Sequence, residues 1–530
     1  MEIGTQLELT ITGISHQGYG IGRVDNIVVF VPGAMLGETV LAEVTDYKKK
    51  MITAKLVEVI APSAQRIAPQ CAQSEKCGGC ELQHCEYAYQ LEAKRRIVQD
   101  AVTRLGRVDI EVEPVLGMEY PWRYRNKGIF HADYSYGRVQ LGFYEQGSHT
   151  FVPAAQCMLF SEAVNNLAER LEELIQDSGK ANYIQKVMIR ESRYNGDLMV
   201  VFVTEDTAWR LPDLAKQVAE YPKVVSVYHN HNSNPKLMLG RKFNLLYGQE
   251  TIEDTIGQFH FQISPQSFFQ VNNVQAEVLY AKALEYAELT GSEQVADVYC
   301  GIGTISLYLA QKAGSVIGIE SVAQAIQDAK ENAKANHVDN CTFVAAKAEE
   351  WLLKWVKKGN KLDAAIIDPP RKGCEPPALD ALITSEAEKI VYVSCNPSTL
   401  ARDVKYLCEN GYRLEKVQPV DLFPQTFHCE TVALLSRINP ANRIKVELDT
   451  DELDLTAAEA KATYGEIKSY VKEKHGFNVS SLYIAQVKDK YGMEKRTNYH
   501  VSKKDKHNIP KCPEEKEKVI VEALKHFKML

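Results

Sequence analysis

The chain has 530 residues, 45% of them hydrophobic and 25% charged, and a net charge of −7. This is globular composition, with room for three or four domains at roughly 100–200 residues each. The start, Met1-Glu2-Ile3-Gly4, lacks the basic and apolar regions of a secretory signal, and no apolar run nears the roughly 20 residues that span a bilayer.

The expectation is a cytoplasmic, monomeric protein with no membrane partner. Its acidic balance does not announce a nucleic-acid binder, although a local basic groove is compatible with it. Twelve cysteines in a reducing compartment point to metal binding or catalysis where they cluster, rather than to disulfides.

Residues 1 to about 60 alternate apolar and polar positions, as in Leu7-Glu8-Leu9-Thr10-Ile11 and Val40-Leu41-Ala42-Glu43-Val44, between glycine turns at 18, 20, 22, 33 and 37. Short strands so spaced predict a small closed barrel over residues 1–62, or a generic β-domain. Residues 63–260 follow as an α+β unit. They open on Cys71-x5-Cys77-Gly78-Gly79-Cys80, three thiols within ten residues. Thiols this close imply a metal, and the spacing leaves zinc and an iron–sulfur cluster both open. A fourth ligand must come from Cys85, close by, or from Cys157, far along the chain.

Helices are expected from 87 to about 105, at 161–177 and at 212–220. Trp122-Arg123-Tyr124-Arg125-Asn126-Lys127 interleaves aromatics and cations, either as a surface for single-stranded RNA or as a strand with a solvated basic face. In residues 261–438 a helix from Asn272 leads into apolar strands at 294–299, 315–320, 342–346, 363–368, 389–395, 413–419 and 430–437. Helical segments between most of them predict a doubly wound parallel sheet. Beyond Pro440 the chain turns Lys/Glu-rich, with helices expected at 456–474, 479–491 and 514–528 as a separate extension over 441–530. Its one basic patch, Lys503-Lys504-x-Lys506-His507, fits an accessory RNA contact, an assembly surface or a solvated face.

Chemistry gathers at strand ends. Asp297-Val298-Tyr299-Cys300-Gly301-Ile302-Gly303-Thr304 is a strand running through a glycine turn into a helix, which lets a ligand approach the backbone. Alone, such a turn is common in proteins without a ligand. The next strand ends in Glu320, placed to accept both hydroxyls of a ribose, and the absence of a phosphate fingerprint favours a single-nucleoside cofactor. S-adenosylmethionine fits this layout; a solvated strand end is the alternative.

Asp368-Pro369-Pro370 closes another strand over the same crevice. In amino-group methyltransferases an aromatic follows such prolines, whereas here Arg371 does. A further strand ends in Ser394-Cys395-Asn396-Pro397. A thiolate is what the unreactive C5 of uracil requires: added to C6, it turns the ring into an enolate able to attack a methyl sulfonium. A base must then remove the C5 proton. Glu430, opening the last and antiparallel strand, would lie on the same edge as Cys395 and Asp368, with His428 as the other candidate base.

These motifs resemble the RNA uracil-C5 methyltransferase family: Ser394-Cys395-Asn396-Pro397, Phe423-Pro424, His428-x-Glu430, Asp368-Pro369-Pro370-Arg371-Lys372-Gly373 and Ser267-Phe268-Phe269-Gln270-Val271-Asn272. The resemblance runs from residue 1 to about 438. It implies a Rossmann-like class I methyltransferase domain, an N-terminal oligonucleotide-binding-like barrel of the TRAM type, and an α+β central domain, to which this chain adds a helical extension. It implies Cys395 as nucleophile, Glu430 as proton acceptor, and S-adenosylmethionine contacts from Gln270, Tyr299, Glu320 and Asp368, with Phe268 near a flipped base. Cluster-bearing members share the cysteine spacing and a distant Gln-Cys like Gln156-Cys157, implying a 4Fe–4S cluster on Cys71, Cys77, Cys80 and Cys157, with Cys85 spare. Cluster and barrel together imply 23S ribosomal RNA as substrate, transfer RNA being the alternative.

Overall fold

The computed structural model describes residues 2–48, 51–135, 137–179, 181–205, 211–438, 464–477, 479–491, 512–527 and 530. Strict alternation builds the first sheet from β1 (Gln6–Thr10), β2 (Gly13–Ile14), β3 (Gly20–Val24), β4 (Ile27–Val31), β5 (Thr39–Lys48) and β6 (Met51–Ala61). Their order is β1-β5-β6-β4-β3-β2. Leu7 and Leu9 of β1 are buried while Gln6, Glu8 and Thr10 are exposed, which sends one face inward. The sheet curls so far that a Cβ on Gly22 of β3 would stand 2.2 Å from Leu9 Cδ1. Leu9, Ile11, Val29, Val40 and Ile52 fill the space inside.

α1 (Tyr87–Asp100) runs on through a π-helical turn, Ala101–Leu105. Next come β7 (Lys127–Asp133), β8 (Gln140–Tyr144), β9 (Phe151–Pro153), α2 (Glu162–Asp177), β10 (Ile184–Glu191), β11 (Leu198–Thr204), α3 (Pro212–Ala219), β12 (Val224–His231) and β13 (Lys242–Gly248). The seven strands form one sheet in the order β13-β12-β11-β10-β7-β8-β9. Ser161 caps α2 by accepting from the Val164 N–H, and a proline opens α3, so both helices begin where the sequence signals them. They cover one face over Phe130, Leu171 and Val187. Met188, Met199 and Val201 join a core shared with β14 (Ile252–Ile256), β15 (Phe259–Ile263) and α4 (Asn273–Ala287), so this hairpin straddles the junction expected at residue 260.

The basic-aromatic stretch 122–127 is not an open strand face. β7 begins only at Lys127, and Tyr124 is 4% exposed with its hydroxyl donating to the Pro424 carbonyl. Asn126 is buried as well and donates to the Gln270 carbonyl.

The third sheet combines β16 (Gln294–Val298), β17 (Ser315–Glu320), β18 (Cys341–Ala345), β19 (Ala364–Ile367), β20 (Lys389–Ser394), β21 (Tyr412–Val420) and β22 (Glu430–Arg437). Helices α5 (Thr304–Ala310), α6 (Ala323–Ala335), α7 (Ala348–Val356), α8 (Pro376–Ser385) and α9 (Pro397–Glu409) alternate with its strands. The order is β18-β17-β16-β19-β20-β22-β21, parallel except for β22, which runs antiparallel to both neighbours. Four of its parallel strands are buried almost end to end, as sheets covered on both faces are. Strand order reverses between β16 and β19, and crevices at such a switch bind ligands.

Residues 441–530 form a second unit. Its described helices are α10 (Tyr464–His475), α11 (Ser481–Lys490) and α12 (Glu514–His526), around Ile467, Val471, Ile484, Val487, Ile520 and Leu524. The expected helical stretch 456–463 and the basic patch 503–507 lie outside the described residues. Among the described residues no helix is long and apolar enough to cross a membrane.

Candidate active site

β16 must reverse into α5 within five residues, and it does so through left-handed backbone at Tyr299, Gly301 and Gly303, with φ of 69°, 55° and 84°. The Tyr299 and Cys300 N–H groups both donate to the Ile319 carbonyl, at 2.9 and 3.2 Å, which pins the turn to β17. Beneath it Asp297 is fully buried; one oxygen accepts from the Ser306 hydroxyl at 2.5 Å and the other has no partner. Burial, with the Glu320 charge adding, pushes this carboxyl up to about 7.

Glu320 ends β17 and accepts from the Val322 N–H at 2.9 Å and the Ser321 hydroxyl at 3.0 Å. A cavity of about 200 Å³ opens there, lined by Tyr299, Glu320, Ser321, Ala346, Lys347 and Pro370 among others. Tyr299 and Glu320 therefore share a cavity that Gln270 and Asp368 do not line. Those two act on another residue: the Tyr280 hydroxyl bonds Thr304 at 3.2 Å, and the Gln270 side chain and the Asp368 charge both influence its ionisation. Sequence reading missed Ser321, Ala346 and Lys347. The signal was available, since every parallel strand ends on this edge, β18 included.

Cys395 stands where β20 stops. Asn396 caps α9 by accepting from the Ser398 N–H at 3.0 Å and Pro397 takes the first turn, so the chain bends at the thiol. The β20–β22 register pairs Ser394 with Thr431, which makes Cys395 and Glu430 the next neighbours along that edge. Glu430 is 5% exposed, and its carboxyl is pushed up to about 8, first by burial and then by the Asp368 charge, against the pull of Arg371. Burial, Glu430 and Asp368 push the Cys395 thiol up to about 11, again opposed by Arg371. Asp368 rises to about 7 through burial and the Asp297 charge.

Arg371, which from sequence only marked a departure from the amino-group pattern, is the cation of this cluster. His428 packs its ring against Phe423 at 5.9 Å and is held down to about 4 by burial and nearby cations, hence neutral. Phe268 projects 69% exposed from a loop fixed by buried Asn272.

Cys71, Cys77, Cys80 and Cys157 line one cavity of about 130 Å³. Burial raises Cys77, and it carries Cys80 up to about 12 and Cys157 to about 11. Cys85 is elsewhere, 1% exposed in an apolar cluster with Met35, Leu82, Tyr89 and Ala93. Among the described residues no group of three or more His, Cys, Asp or Glu is placed to hold a metal ion.

The sequence pattern of the tRNA (uracil-5-)-methyltransferase family matches residues 86–438, and that of the TRAM domain matches residues 1–57. An uncharacterized RNA methyltransferase of Clostridium tetani is 45% identical over 441 residues, covering 81% of this chain and 95% of that one. One from Listeria innocua is 42% identical, covering 81% and 97%. The solved tRNA (uracil-54, C5)-methyltransferase of Pyrococcus abyssi, in complex with S-adenosyl-L-homocysteine, superimposes with a TM-score of 0.65 at 29% identity, covering 81% of this chain and all of that one. With the sheet order, the strand-end residues and a family match over most of its length, the chain is an RNA methyltransferase belonging to the tRNA (uracil-5-)-methyltransferase family.

Proposed function

We propose that this enzyme methylates C5 of a uridine in RNA, with Cys395 as nucleophile and Glu430 as proton acceptor. The carrying observation is the thiol and the buried carboxyl at adjacent ends of β20 and β22. S-adenosylmethionine supplies an electrophilic methyl group; Tyr299 and Glu320 at the 200 Å³ cavity, with Gln270 and Asp368 around Tyr280, are its proposed binding residues.

The Cys395 thiolate adds to C6, and the C5–C6 π pair moves into an enolate over C5, C4 and O4. C5 then bonds to the methyl carbon as the donor's carbon–sulfur bond breaks. The Glu430 carboxylate takes the C5 proton, the electron pair restores the ring double bond, and the C6–sulfur bond breaks to return the thiolate. Arg371 favours the ionised form of both groups. A base inside a duplex cannot reach Cys395, so the target is single-stranded or flipped out, with exposed Phe268 to stack on it.

The proposed substrate is 23S ribosomal RNA. Support comes from the TRAM match together with the four gathered cysteines, a pairing that in this family goes with ribosomal RNA. The Pyrococcus abyssi enzyme, named for transfer RNA, favours the rival reading. Mapping 5-methyluridine in ribosomal and transfer RNA of a deletion strain separates them; loss confined to transfer RNA rejects the ribosomal assignment. Cys395→Ala abolishes methyl transfer and Glu430→Gln traps a covalent RNA adduct; an active Cys395→Ala enzyme rejects the mechanism.

The proposed parts are the barrel 1–62, a central domain 63–260, the catalytic domain 261–438 and the extension 441–530. Cys71, Cys77, Cys80 and Cys157 are proposed to hold a 4Fe–4S cluster. Their common cavity offers an all-thiol donor set, and a cluster spreads four thiolates over separate irons where zinc needs them converging on one point. The cluster would tie residues 71–80 to Cys157, and no step of the methylation runs through it.

A further inference from the structure

The segment that follows Cys80 is fastened to the loop leading into Glu430. That loop, residues 421–429, joins β21 to β22; Asn272 and Gln275 hold its first two residues, and residues 81–124 supply most of its other anchors. The Glu81 and Leu82 N–H groups both donate to the Gln425 carbonyl, at 2.9 and 3.0 Å. The Gln90 carboxamide grips Gln425 twice, donating from Nε2 to Oε1 at 3.0 Å and accepting the Gln425 N–H at 3.1 Å. The same Nε2 donates to the Leu82 and Cys85 carbonyls, tying the cysteine segment into the grip.

Two residues nearer the base, the Phe427 N–H pulls down the Glu81 carboxyl that burial pushes up. Lys94 donates to Asp421 and to the Phe423 carbonyl from the other side. Gln90 and Gln425 are 1% and 3% exposed, so these bonds meet no competition from solvent. Gln425 sits at φ 70°, a left-handed conformation costing a non-glycine residue roughly 1–2 kcal/mol. It persists because the surrounding bonds over-determine it.

Glu430 is the first residue of β22, so the sheet fixes it from one side only. From the other side its place depends on this loop. Cys395 has no such dependence, being set between β20 and α9. The two chemical groups are therefore held by different parts of the chain. Proton transfer needs heavy atoms within about 2.6–3.2 Å, and a misplacement of about 1 Å can cost roughly a hundredfold.

We propose that Glu81, Gln90 and Gln425 are positioning residues for the proton acceptor, so that the cysteine-bearing segment acts on the elimination step rather than on binding or methyl transfer. The inference rests on Glu430 being that acceptor. Loosening the clamp leaves addition and methyl transfer intact but slows removal of the C5 proton, and the methylated RNA stays bonded to Cys395.

The test uses full-length Glu81→Ala, Gln425→Gly and Glu81→Gln, with Glu430→Gln in parallel. The probes are an unmodified transcript of the RNA that the wild-type enzyme methylates, and S-adenosylmethionine labelled in the methyl group. Gln425→Gly removes the side-chain grip while glycine keeps the left-handed backbone freely, so it decides the matter where Glu81→Ala does not fold. Both loosened variants should transfer methyl at the wild-type rate in the first turnover, hold about tenfold more label as denaturation-resistant adduct, and turn over about tenfold more slowly, the effect of one hydrogen bond. Glu81→Gln keeps an acceptor for Phe427 and should restore turnover.

First-turnover rates that fall in step with turnover, without excess adduct, overturn the proposal, because a merely structural loss lowers the active fraction alone. If Glu430→Gln holds adduct and the loop variants do not, the clamp fails while the acceptor stands. If Glu430→Gln itself holds none, the acceptor assignment fails and the inference with it.

Discussion

The Glu430 carboxylate pushes the Cys395 thiol toward its protonated form more strongly than any other charge around it, and only burial pushes harder. The ionised base thus opposes ionisation of the nucleophile in the resting enzyme. Both act deprotonated and both are raised, Cys395 to about 11 and Glu430 to about 8. Activity should therefore be lost as pH falls: kcat/KM is expected to climb steadily from about pH 6 to 9. Removing the charge with Glu430→Gln should lower the thiol's proton affinity, so at about pH 9, where Glu430 is ionised, Cys395 is alkylated by iodoacetamide faster than in the wild type. An unchanged or slower alkylation rate would show that the two groups do not interact.

Glu320 offers the clearest test of the donor site. Its carboxylate ends β17 beside Tyr299 at the 200 Å³ cavity. Two hydrogen bonds from ribose hydroxyls to a carboxylate contribute roughly 1.5–3 kcal/mol each. Glu320→Ala should then raise the KM for S-adenosylmethionine by at least about a hundredfold and change kcat far less. Steady-state kinetics with the donor varied at saturating RNA measures this, and an unchanged KM would move the nucleoside elsewhere.

Much of this site could be read from the sequence because strand ends are local features. The strands expected at 315–320 and 430–437 are β17 and β22 to the residue, and Asn272 caps the helix expected to begin there. Alternation and apolar runs encode such elements directly. Arg371 escaped because its role depends on Glu430 and Cys395, which only the sheet order brings near. The Gln90–Gln425 grip escaped for the same reason, joining residues 335 positions apart through groups with no local signature. Residues 122–127 were legible only in part, since their composition does not show that the packing buries Tyr124 and Asn126 while leaving Arg123 exposed.

The four cysteines should divide cleanly from the fifth. Cys71, Cys77, Cys80 and Cys157 share a cavity, whereas Cys85 packs among apolar side chains. Anaerobically purified protein is expected to be brown with about four iron atoms per chain. Serine at any of the four should sharply lower iron content, and Cys85→Ser should keep it. Colourless protein carrying one zinc would reject the cluster.

Phe268 is a large apolar side chain left bare, 69% exposed and two residues from Gln270. Nothing in the fold's packing requires an aromatic there, since the loop is fixed by Asn272 donating to the Leu422 carbonyl and by Arg190 donating to the Ser267 carbonyl. Stacking a base on an aromatic contributes roughly 1–3 kcal/mol. If Phe268 receives the flipped uridine, Phe268→Ala should raise the KM for RNA by about five- to a hundredfold while leaving the KM for S-adenosylmethionine and the thermal midpoint unchanged. Phe268→Trp preserves a stacking face and should recover most of the loss. A fall in thermal midpoint with unaltered RNA affinity would instead make Phe268 a packing residue and leave the base without this platform.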